Sequence, residues 1–201
     1  MKKIISLFQR NYDGDRFVRD EVVPGAEWVI AGEGIATRKW DGTCCMVRGG
    51  KLFKRYEVKP GKTPPSDFEP ANTIDENTGK QQGWRPVGDG PEDKYHREAF
   101  VGEIPDGTYE LVGPKIQANP EQFGAHVLIP HGKHAVDAPR TFSGLRDWFG
   151  AAGIEGVVWW HPDGRMVKIK AKDFGIHRTA NISHQRPAES GTLDGVVGTE
   201  D

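Results

Sequence analysis

Glycine and proline residues divide this sequence into short apolar segments. The 201 residues include 26 Gly and 14 Pro, and they contain no internal repeat and no long amphipathic helix. Turn-forming residues at such short intervals are typical of chains built from short strands and tight turns. The pattern therefore predicts an α+β fold of mainly antiparallel sheets with a few helices.

Two hairpins are the clearest local predictions. The first joins strands at 34–48 and 51–58 through Gly49-Gly50, a pair that favours a tight two-residue turn. The second joins strands at 154–160 and 165–171 through a turn at 161–164. Three more short strands and one helix are expected: strands at 98–103, 107–113 and 126–130, and a helix at 141–152 with Thr141 or Ser143 as its cap and Gly153 as its stop.

The chain length fits a single domain. We expect this domain to cover residues 1–183 and to contain one long insert at 59–95, where Pro, Gly, Asp and Lys predominate and little regular structure is expected. Long segments of this kind are usually functional lids or mobile segments. The polar, Gly-rich residues 184–201 are predicted to form a loose C-terminal tail.

Composition excludes several classes of protein. With 36% hydrophobic residues the chain has enough apolar mass for a core, which excludes a wholly disordered protein. The 27 Lys and Arg residues are balanced by 29 Asp and Glu residues, so a nucleic-acid partner would have to bind a local basic patch. No apolar run approaches the roughly 18 residues of a membrane span, and the N-terminus becomes polar too soon for a signal peptide.

The two cysteines, Cys44 and Cys45, are adjacent in the sequence. Adjacent cysteines rarely meet the geometry of a disulfide, and the pair lacks the spacing of zinc ligands. Cysteine usage and the absence of targeting signals predict a cytoplasmic protein.

The second hairpin predicts which of its side chains share a face. A loop of four residues at 161–164, or of two at 163–164, places Glu155, Val157, Lys168 and Lys170 on one face of the sheet. The other face is then apolar and core-facing, with Gly156, Val158, Val167 and Ile169. Only a loop with an odd number of residues would break this arrangement.

The first hairpin places Arg55 opposite Cys44, beside the strand that leaves the loop Lys39-Trp40-Asp41-Gly42. A surface ion pair with Glu57 or Asp41 would account for this arginine equally well. Glu103 and Glu110 are acidic residues within apolar strands, where a carboxylate either has a partner or a ligand or faces solvent.

Five segments, in this order, resemble the motifs of the covalent nucleotidyltransferases, the superfamily of ATP-dependent DNA and RNA ligases and mRNA capping enzymes. They are KWDG at 39–42, Arg55, YELVG at 109–113, EGVV at 155–158 and KIK at 168–170. The segment YELVGPKIQANP resembles the third motif of RNA ligases, and the run from KWDGT to EGVVWW is similar to a small family related to vertebrate 5′–3′ RNA ligase. The resemblance spans roughly residues 34–175 and implies a nucleotidyltransferase (adenylation) domain. Only 31 residues follow Lys170, so we expect no OB-fold.

The resemblance also implies a role for each matched residue. Lys39 would attack the α-phosphate of ATP and form a lysyl-adenylate, while Lys168 and Lys170 would favour its neutral amine and neutralise phosphate charge. The resemblance assigns the remaining residues to nucleotide binding. Thr37 and Arg38 would lie beside the nucleophile, and Arg55 would contact phosphate or the RNA acceptor end. Glu110 would hold the ribose, and His126 or Phe123 would stack on the adenine. Glu155 would hold Mg²⁺ or Mn²⁺.

In such a ligase the AMP passes from the lysine to an RNA 5′-phosphate, and an RNA 3′-hydroxyl then displaces it. The expected partners are RNA ends, with no membrane partner, and the expected state is a monomer. Basic and aromatic residues of the insert would contact the RNA; these are Lys59, Lys62, Lys80, Trp84, Arg85, Lys94, Tyr95 and Arg97. Alternatives are a minimal DNA ligase, an RNA-capping guanylyltransferase, a nucleotide- or RNA-binding module without turnover, and an accidental set of motif matches.

Overall fold

The computed structural model describes residues 4–178. The predicted tail at 184–201 and the predicted domain end at 183 lie outside these residues. The strands are β1 (Ile5–Ser6), β2 (Phe8–Arg10), β3 (Val18–Val22), β4 (Ile35–Lys39), β5 (Thr43–Arg48), β6 (Lys51–Val58), β7 (Glu69–Pro70), β8 (Gln81–Pro86), β9 (Gly107–Val112), β10 (Val127–Pro130), β11 (Gly156–Trp160) and β12 (Met166–Lys170). The α-helices are α1 (Glu27–Ile30), α2 (Lys94–Ala99) and α3 (Phe142–Ala152), and short 3₁₀ helices cover Pro91–Asp93 and Ala171–Phe174.

Most of these strands lie in two sheets. The smaller sheet has the order β1-β12-β11-β4, in which β1 pairs with β12 in parallel and the other neighbours are antiparallel. The larger sheet has the order β10-β9-β5-β6-β8-β7 and is antiparallel throughout. Strands β2 and β3 form a separate pair. The predicted α+β class with mainly antiparallel sheets is therefore confirmed.

The larger hydrophobic core joins the smaller sheet to α3. Alternate residues of β11 and β12, among them Val157 and Ile169, are fully buried in one cluster with Leu145 and Phe149 of α3. The helix begins where the Thr141 hydroxyl accepts a hydrogen bond from the Gly144 N–H, and it ends at Gly153, whose φ is 62°. The predicted helix at 141–152 is confirmed, because both of its end signals are local.

The first predicted hairpin forms with the expected register. Met46 lies opposite Phe53 and Arg48 opposite Lys51, and Gly49 and Gly50 both have the positive φ that a tight two-residue turn requires. The predicted single strand at 34–48 is wrong, however. Its first half, β4, pairs with β11 in the smaller sheet, whereas its second half, β5, lies in the larger sheet. The loop at residues 40–42 therefore connects the two sheets.

The second hairpin corrects the predicted faces of β11. Val158 lies opposite Lys168 and Gly156 opposite Lys170, so the loop comprises the five residues 161–165 and is odd. Asp163 fixes this wider loop, because its carboxylate accepts hydrogen bonds from both the N–H and the guanidinium of Arg165. Gly156 and Val158 consequently share a face with the two lysines, and Val157 faces the core. The predicted faces of Lys168, Lys170, Val167 and Ile169 are as expected.

Residues 59–95 are more ordered than the sequence indicates. Strand β8 pairs with β6 along its whole length, from Phe53 opposite Pro86 to Val58 opposite Gln81, and β7 pairs with β8. This order comes from pairing with a neighbouring strand, which a Gln- and Gly-containing segment does not indicate locally. The predicted strand at 98–103 is also wrong, since α2 ends at Ala99. The predicted strands at 107–113 and 126–130 are present as β9 and β10. Across residues 4–178, no helix is long and apolar enough to cross a membrane.

Candidate functional site

A cavity of about 470 Å³ is lined by residues from both sheets. Strands β4, β11 and β12 supply one wall, and β5, β6, β8 and β9 supply the other. Six of the residues predicted to bind nucleotide or carry catalysis line this cavity: Thr37, Arg38, Lys39, Arg55, Glu110 and Lys168. The fold thus brings together residues that are up to about 130 positions apart in the sequence.

Lys39, Glu155 and Lys170 form a bridged group of charges beside the cavity. One oxygen of the Glu155 carboxylate lies 2.6 Å from the Lys39 Nζ, and the other lies 2.6 Å from the Lys170 Nζ. The register explains this contact, because Gly156 at the start of β11 lies opposite Lys39 on one side and Lys170 on the other. Glu155 precedes the first paired residue of β11, so strand alternation does not fix its direction. Glu155 therefore joins the site through its contact with Lys39, and Lys170 joins it through Glu155.

The charges in this group shift one another's ionisation. Burial alone would raise the pKa of Glu155, but the ammonium groups of Lys39 and Lys170 outweigh it and the pKa is lowered. Burial, followed by the positive charges of Lys170 and Lys39, lowers the pKa of Lys168 to about 8. Glu155 is therefore an anion at neutral pH, whereas the pKa of Lys168 lies only about one unit above neutral pH.

Asp41 adds a second carboxylate next to the bridged group. Burial, followed by the charge of Glu155, raises the pKa of Asp41 above its ordinary value. The two carboxylates are therefore close enough for each to sense the other's charge. Both offer oxygen ligands of the kind that Mg²⁺ prefers, so the donor atoms suit such an ion, which at Glu155 would share oxygens that already contact the Lys39 and Lys170 ammonium groups.

The KWDG loop, residues 39–42, is held against β9. The Gly42 N–H donates to one oxygen of Glu110 at 3.1 Å. Any side chain at position 42 would place its Cβ 2.2 Å from the Leu111 carbonyl oxygen, so only glycine fits this close approach. The other Glu110 oxygen lies 2.9 Å from the His131 Nε2. Glu110 thus fixes the loop that carries Lys39 in addition to lining the cavity.

Thr37 and Arg38 are held by contacts of their own. The Thr37 hydroxyl donates to the Val158 carbonyl at 3.1 Å and accepts from the Trp160 indole N–H at 2.8 Å. The Arg38 guanidinium lies 4.0 Å from the centre of the Trp40 ring and 2.5 Å from the buried Glu121 carboxylate. Both side chains therefore have fixed positions on the β4 wall.

Arg55 faces the cavity from the opposite wall. Its Nε donates to the Gln82 side-chain oxygen at 3.1 Å, and its guanidinium lies 5.2 Å from the centre of the Trp84 ring. The Glu57 carboxylate, one of the ion-pair partners considered for Arg55, lies 2.9 Å from the Lys80 Nζ. The insert thus supports Arg55 through β8.

The structure does not bring His126 to the cavity. Its ring stacks on Tyr95 with the centroids 4.4 Å apart, and its Nδ1 lies 2.7 Å from Glu98, because α2 covers it. Phe123 packs against Trp40 and is likewise not among the residues that line the cavity. Glu103 is exposed and lies outside the cavity, which leaves Glu110 as the acidic residue of the two at the site.

The cavity-lining residues that sequence reasoning missed include His131, Val158 and Trp160. The odd loop of the second hairpin turns Val158 and Trp160 toward the cavity, and a correct loop length would have revealed both. His131 follows β10 directly and has no motif around it that indicates this position. Trp84, predicted to offer a stacking surface to RNA, is buried with 3% of its surface exposed, so its ring is covered by protein.

Comparison with known proteins relates the chain to ligases. A family model described as RNA ligase 1 matches residues 97–188. RNA ligase 1 of Mus musculus is 25% identical over 219 aligned residues, which cover 71% of this chain and 67% of that protein, and the Pongo abelii protein matches to the same extent. RNA ligase 1 of Danio rerio is 30% identical over 86 residues, or 38% of this chain and 26% of that protein.

These matches show that the chain is related to the RNA ligases. Within that class, the family it resembles is RNA ligase 1. The resemblance to RNA ligases that the ordered motifs predicted is therefore confirmed as a similarity, at 25% identity over 71% of this chain.

Proposed function

We propose that the chain is an ATP-dependent RNA ligase that seals 5′-phosphate and 3′-hydroxyl RNA ends through a lysyl-AMP intermediate. The observation that carries the proposal is the placement of Lys39, which lines the cavity while Glu155 bridges it to Lys170 at 2.6 Å on each side. Arg55, Glu110 and Lys168 line the same cavity. The relationship to RNA ligase 1 supports RNA as the polymer.

In the first step the Lys39 Nζ attacks the α-phosphorus of ATP. A nitrogen–phosphorus bond forms, the bond from the α-phosphorus to the oxygen that bridges to the β-phosphorus breaks, and pyrophosphate leaves with the electron pair. An ordinary lysine, with a pKa of about 10.4, is almost wholly protonated at neutral pH, so the attacking amine must first lose a proton. Lys168 and Lys170 supply positive charge that stabilises the negative charge developing on the phosphate.

The cavity walls suit the parts of the nucleotide differently. Lys168 and Arg55 offer positive charge to phosphate oxygens, and Glu110 can accept hydrogen bonds from ribose hydroxyls. We place the base against Val158 and Trp160 instead of His126, because those two side chains supply an apolar surface within the cavity. Asp41 and Glu155 would hold Mg²⁺, which supplies charge neutralisation to the triphosphate when bound.

In the second step an oxygen of the RNA 5′-phosphate attacks the AMP phosphorus, and the bond to the Lys39 Nζ breaks. In the third step the RNA 3′-hydroxyl attacks the 5′-phosphorus, a phosphodiester forms and AMP leaves. Residues of the insert, including Asp75, Thr78 and Lys80, form part of the cavity wall. Exposed lysines at positions 59, 62 and 94 are suited to RNA phosphates.

Intact-mass measurement after incubation with ATP and Mg²⁺ tests the proposal. We expect one AMP per chain, released as a phosphoramidate that maps to Lys39, and no adduct with Lys39→Ala. Lys51→Ala is the matched control, because Lys51 is an exposed lysine at the start of β6, and it should form the adduct normally. An adduct that persists in Lys39→Ala or maps to Lys168 contradicts the assigned nucleophile.

Assays with other substrates, run in parallel, distinguish the RNA ligase from a guanylyltransferase, a DNA ligase and a binding module. Labelled GTP in place of ATP would identify a guanylyltransferase, and equal sealing of nicked DNA and nicked RNA would contradict the choice of RNA. A chain that binds ATP without forming any adduct is a binding module, and the proposal is then wrong.

A further inference from the structure

We propose that Cys44, Glu110 and His131 form a binding site for a thiophilic divalent cation such as Zn²⁺. One ligand atom from each residue, a sulfur, a carboxylate oxygen and an imidazole nitrogen, lies within 4.8 Å of the other two. All three residues line the cavity, so an ion can reach them from solvent. This inference concerns a second ion, separate from the Mg²⁺ assigned to Asp41 and Glu155, and it does not depend on the proposed ligase activity.

The fold places these three residues together although they are far apart in the sequence. Cys44 on β5 and Glu110 on β9 are direct cross-strand partners, so their side chains lie on the same face of the sheet. His131 follows β10, the other neighbour of β9, and its backbone N–H donates to the Thr108 carbonyl at 3.0 Å. Because each ligand comes from a different strand or turn, the sequence contains no ligand spacing that would reveal the site.

Outer contacts hold two of the ligands in a binding orientation. The His131 Nδ1 lies 3.1 Å from the Thr108 hydroxyl, which leaves the Nε2 directed at Glu110, 2.9 Å away. The Gly42 N–H holds the other oxygen of the Glu110 carboxylate at 3.1 Å. Metal-binding histidines and carboxylates typically have partners of this kind, which fix the ring orientation and the carboxylate position.

The donor set selects the type of ion. Sulfur, imidazole nitrogen and carboxylate oxygen are the three ligand types of zinc sites, and tetrahedral bonds of about 2.0–2.3 Å place ligand atoms about 3.3–3.6 Å apart. Three protein ligands leave one position for water, and all three residues line the cavity. Mg²⁺ does not use thiol ligands. On binding, the Cys44 S–H bond breaks, a sulfur–metal bond forms and one proton is released.

Titration of the full chain with Co²⁺ in the absence of nucleotide and RNA tests the site. We expect a thiolate-to-cobalt absorption band that saturates at one ion per chain and is lost when one equivalent of Zn²⁺ is added. Cys44→Ser should abolish the band. Cys45→Ser is the matched control, because the Cys45 side chain is fully buried on the opposite face and should not contribute. Thr108→Val should weaken Co²⁺ binding by about tenfold through the loss of the His131 orienting contact.

Thermal melting of each variant in metal-free buffer confirms that it is folded before the titration. The proposal is wrong if folded wild-type protein gives no thiolate band, or if the band survives in folded Cys44→Ser. A failure of the ligase proposal would appear separately, as a missing AMP adduct in zinc-free buffer.

Discussion

At the residue scale, the charge state of the site is set by Glu155 and the lysines around it. The carboxylate is nearly buried, and each of its oxygens contacts one ammonium group. Removal of one partner from such a pair is costly, because the remaining charge stays in a desolvated position. The bridge therefore fixes the position of Lys39 as well as its electrostatic surroundings.

Lys170→Ala tests this bridge. If the proposed reaction takes place, we expect the rate of lysyl-adenylate formation to fall by about 10²- to 10³-fold, because the substitution removes a preorganised positive charge from the group around Lys39 and releases one side of Glu155. Single-turnover adenylation is the measurement. Lys172→Ala removes the same charge from an exposed position two residues away and should change the rate by less than twofold. Equal losses in the two variants would mean that only net charge matters.

Lys168 gives a pH dependence whose sign follows from its pKa of about 8 in the fold, compared with 10.5 for an ordinary lysine. Between about pH 8 and 10.5, Lys168 has lost its proton in the folded protein but still carries it in the unfolded chain, so the unfolded state binds one proton more than the folded state. The free energy of unfolding contributed by this group therefore rises with pH, and its slope corresponds to a difference of at most one bound proton between the unfolded and folded states. Urea denaturation between pH 7 and 10 should show this rise for wild type relative to Lys168→Met. A constant difference between the two would contradict it.

At the element scale, the parity of one loop decides which side of β11 faces the cavity. The observed loop has five residues, 161–165, whereas the predicted loop had four. This difference exchanges the environments of Val157, which packs in the core, and Val158, which lines the cavity. Lys168 and Lys170 keep their shared face under either loop length. The predicted loop length of four residues therefore gave the correct face for the two lysines and the wrong face for the two valines.

Val157→Ala and Val158→Ala are a matched pair for this face assignment. Val157→Ala should lower the free energy of unfolding by about 2–3 kcal/mol, because it leaves a closed void in a packed core. Val158→Ala should cost less than half as much, since the truncation enlarges a cavity that is already open, but it should weaken ATP binding. Chemical denaturation and ATP titration measure the two effects. Similar destabilisation by both substitutions would contradict the observed register.

Local signals made part of this structure predictable. Gly49-Gly50 and the caps of α3 act through their own backbone conformations, so the first hairpin and the helix could be predicted from the sequence. The ordered motifs predicted that Lys39, Arg55 and Glu110 lie at one site, and all three line the cavity. The loop parity depends on how Asp163 binds Arg165, β8 depends on its pairing with β6, and His131 reaches the site only through tertiary structure. Neither the pairing of β8 nor the position of His131 has a signature in a short window of sequence, whereas the Asp163–Arg165 contact is local and would have allowed a loop of five residues to be considered.

At the scale of the whole molecule, the cavity lies where the two sheets meet. The KWDG loop is the connection between β4 in the smaller sheet and β5 in the larger sheet, and cavity residues come from both. A nucleotide bound there would contact both sheets at once. Binding should therefore stabilise the complete fold and not one half of it.

The Lys39→Ala variant tests this coupling without covalent chemistry. ATP at a hundredfold excess over its Kd adds about 2.7 kcal/mol of stability to a protein that binds it only when folded. For a chain of this size we expect the Tm to rise by about 5–10 °C in one cooperative transition. Differential scanning calorimetry with Mg²⁺, with and without ATP, is the measurement. A transition that splits into two, with only one of them shifted, would show that the sheets unfold independently.

The strand alternation of β5 gives Cys44 and Cys45 opposite surroundings, since Cys44 borders the cavity and Cys45 is fully buried in the core beneath the larger sheet. An alkylating reagent would therefore reach Cys44 through the cavity mouth, and it would reach Cys45 only after the sheet itself opens. Burial raises the pKa of both thiols, so both reactions should be slow. The two adjacent sulfur atoms would then report independently on a single sample, one on occupancy of the cavity and the other on transient opening of the fold.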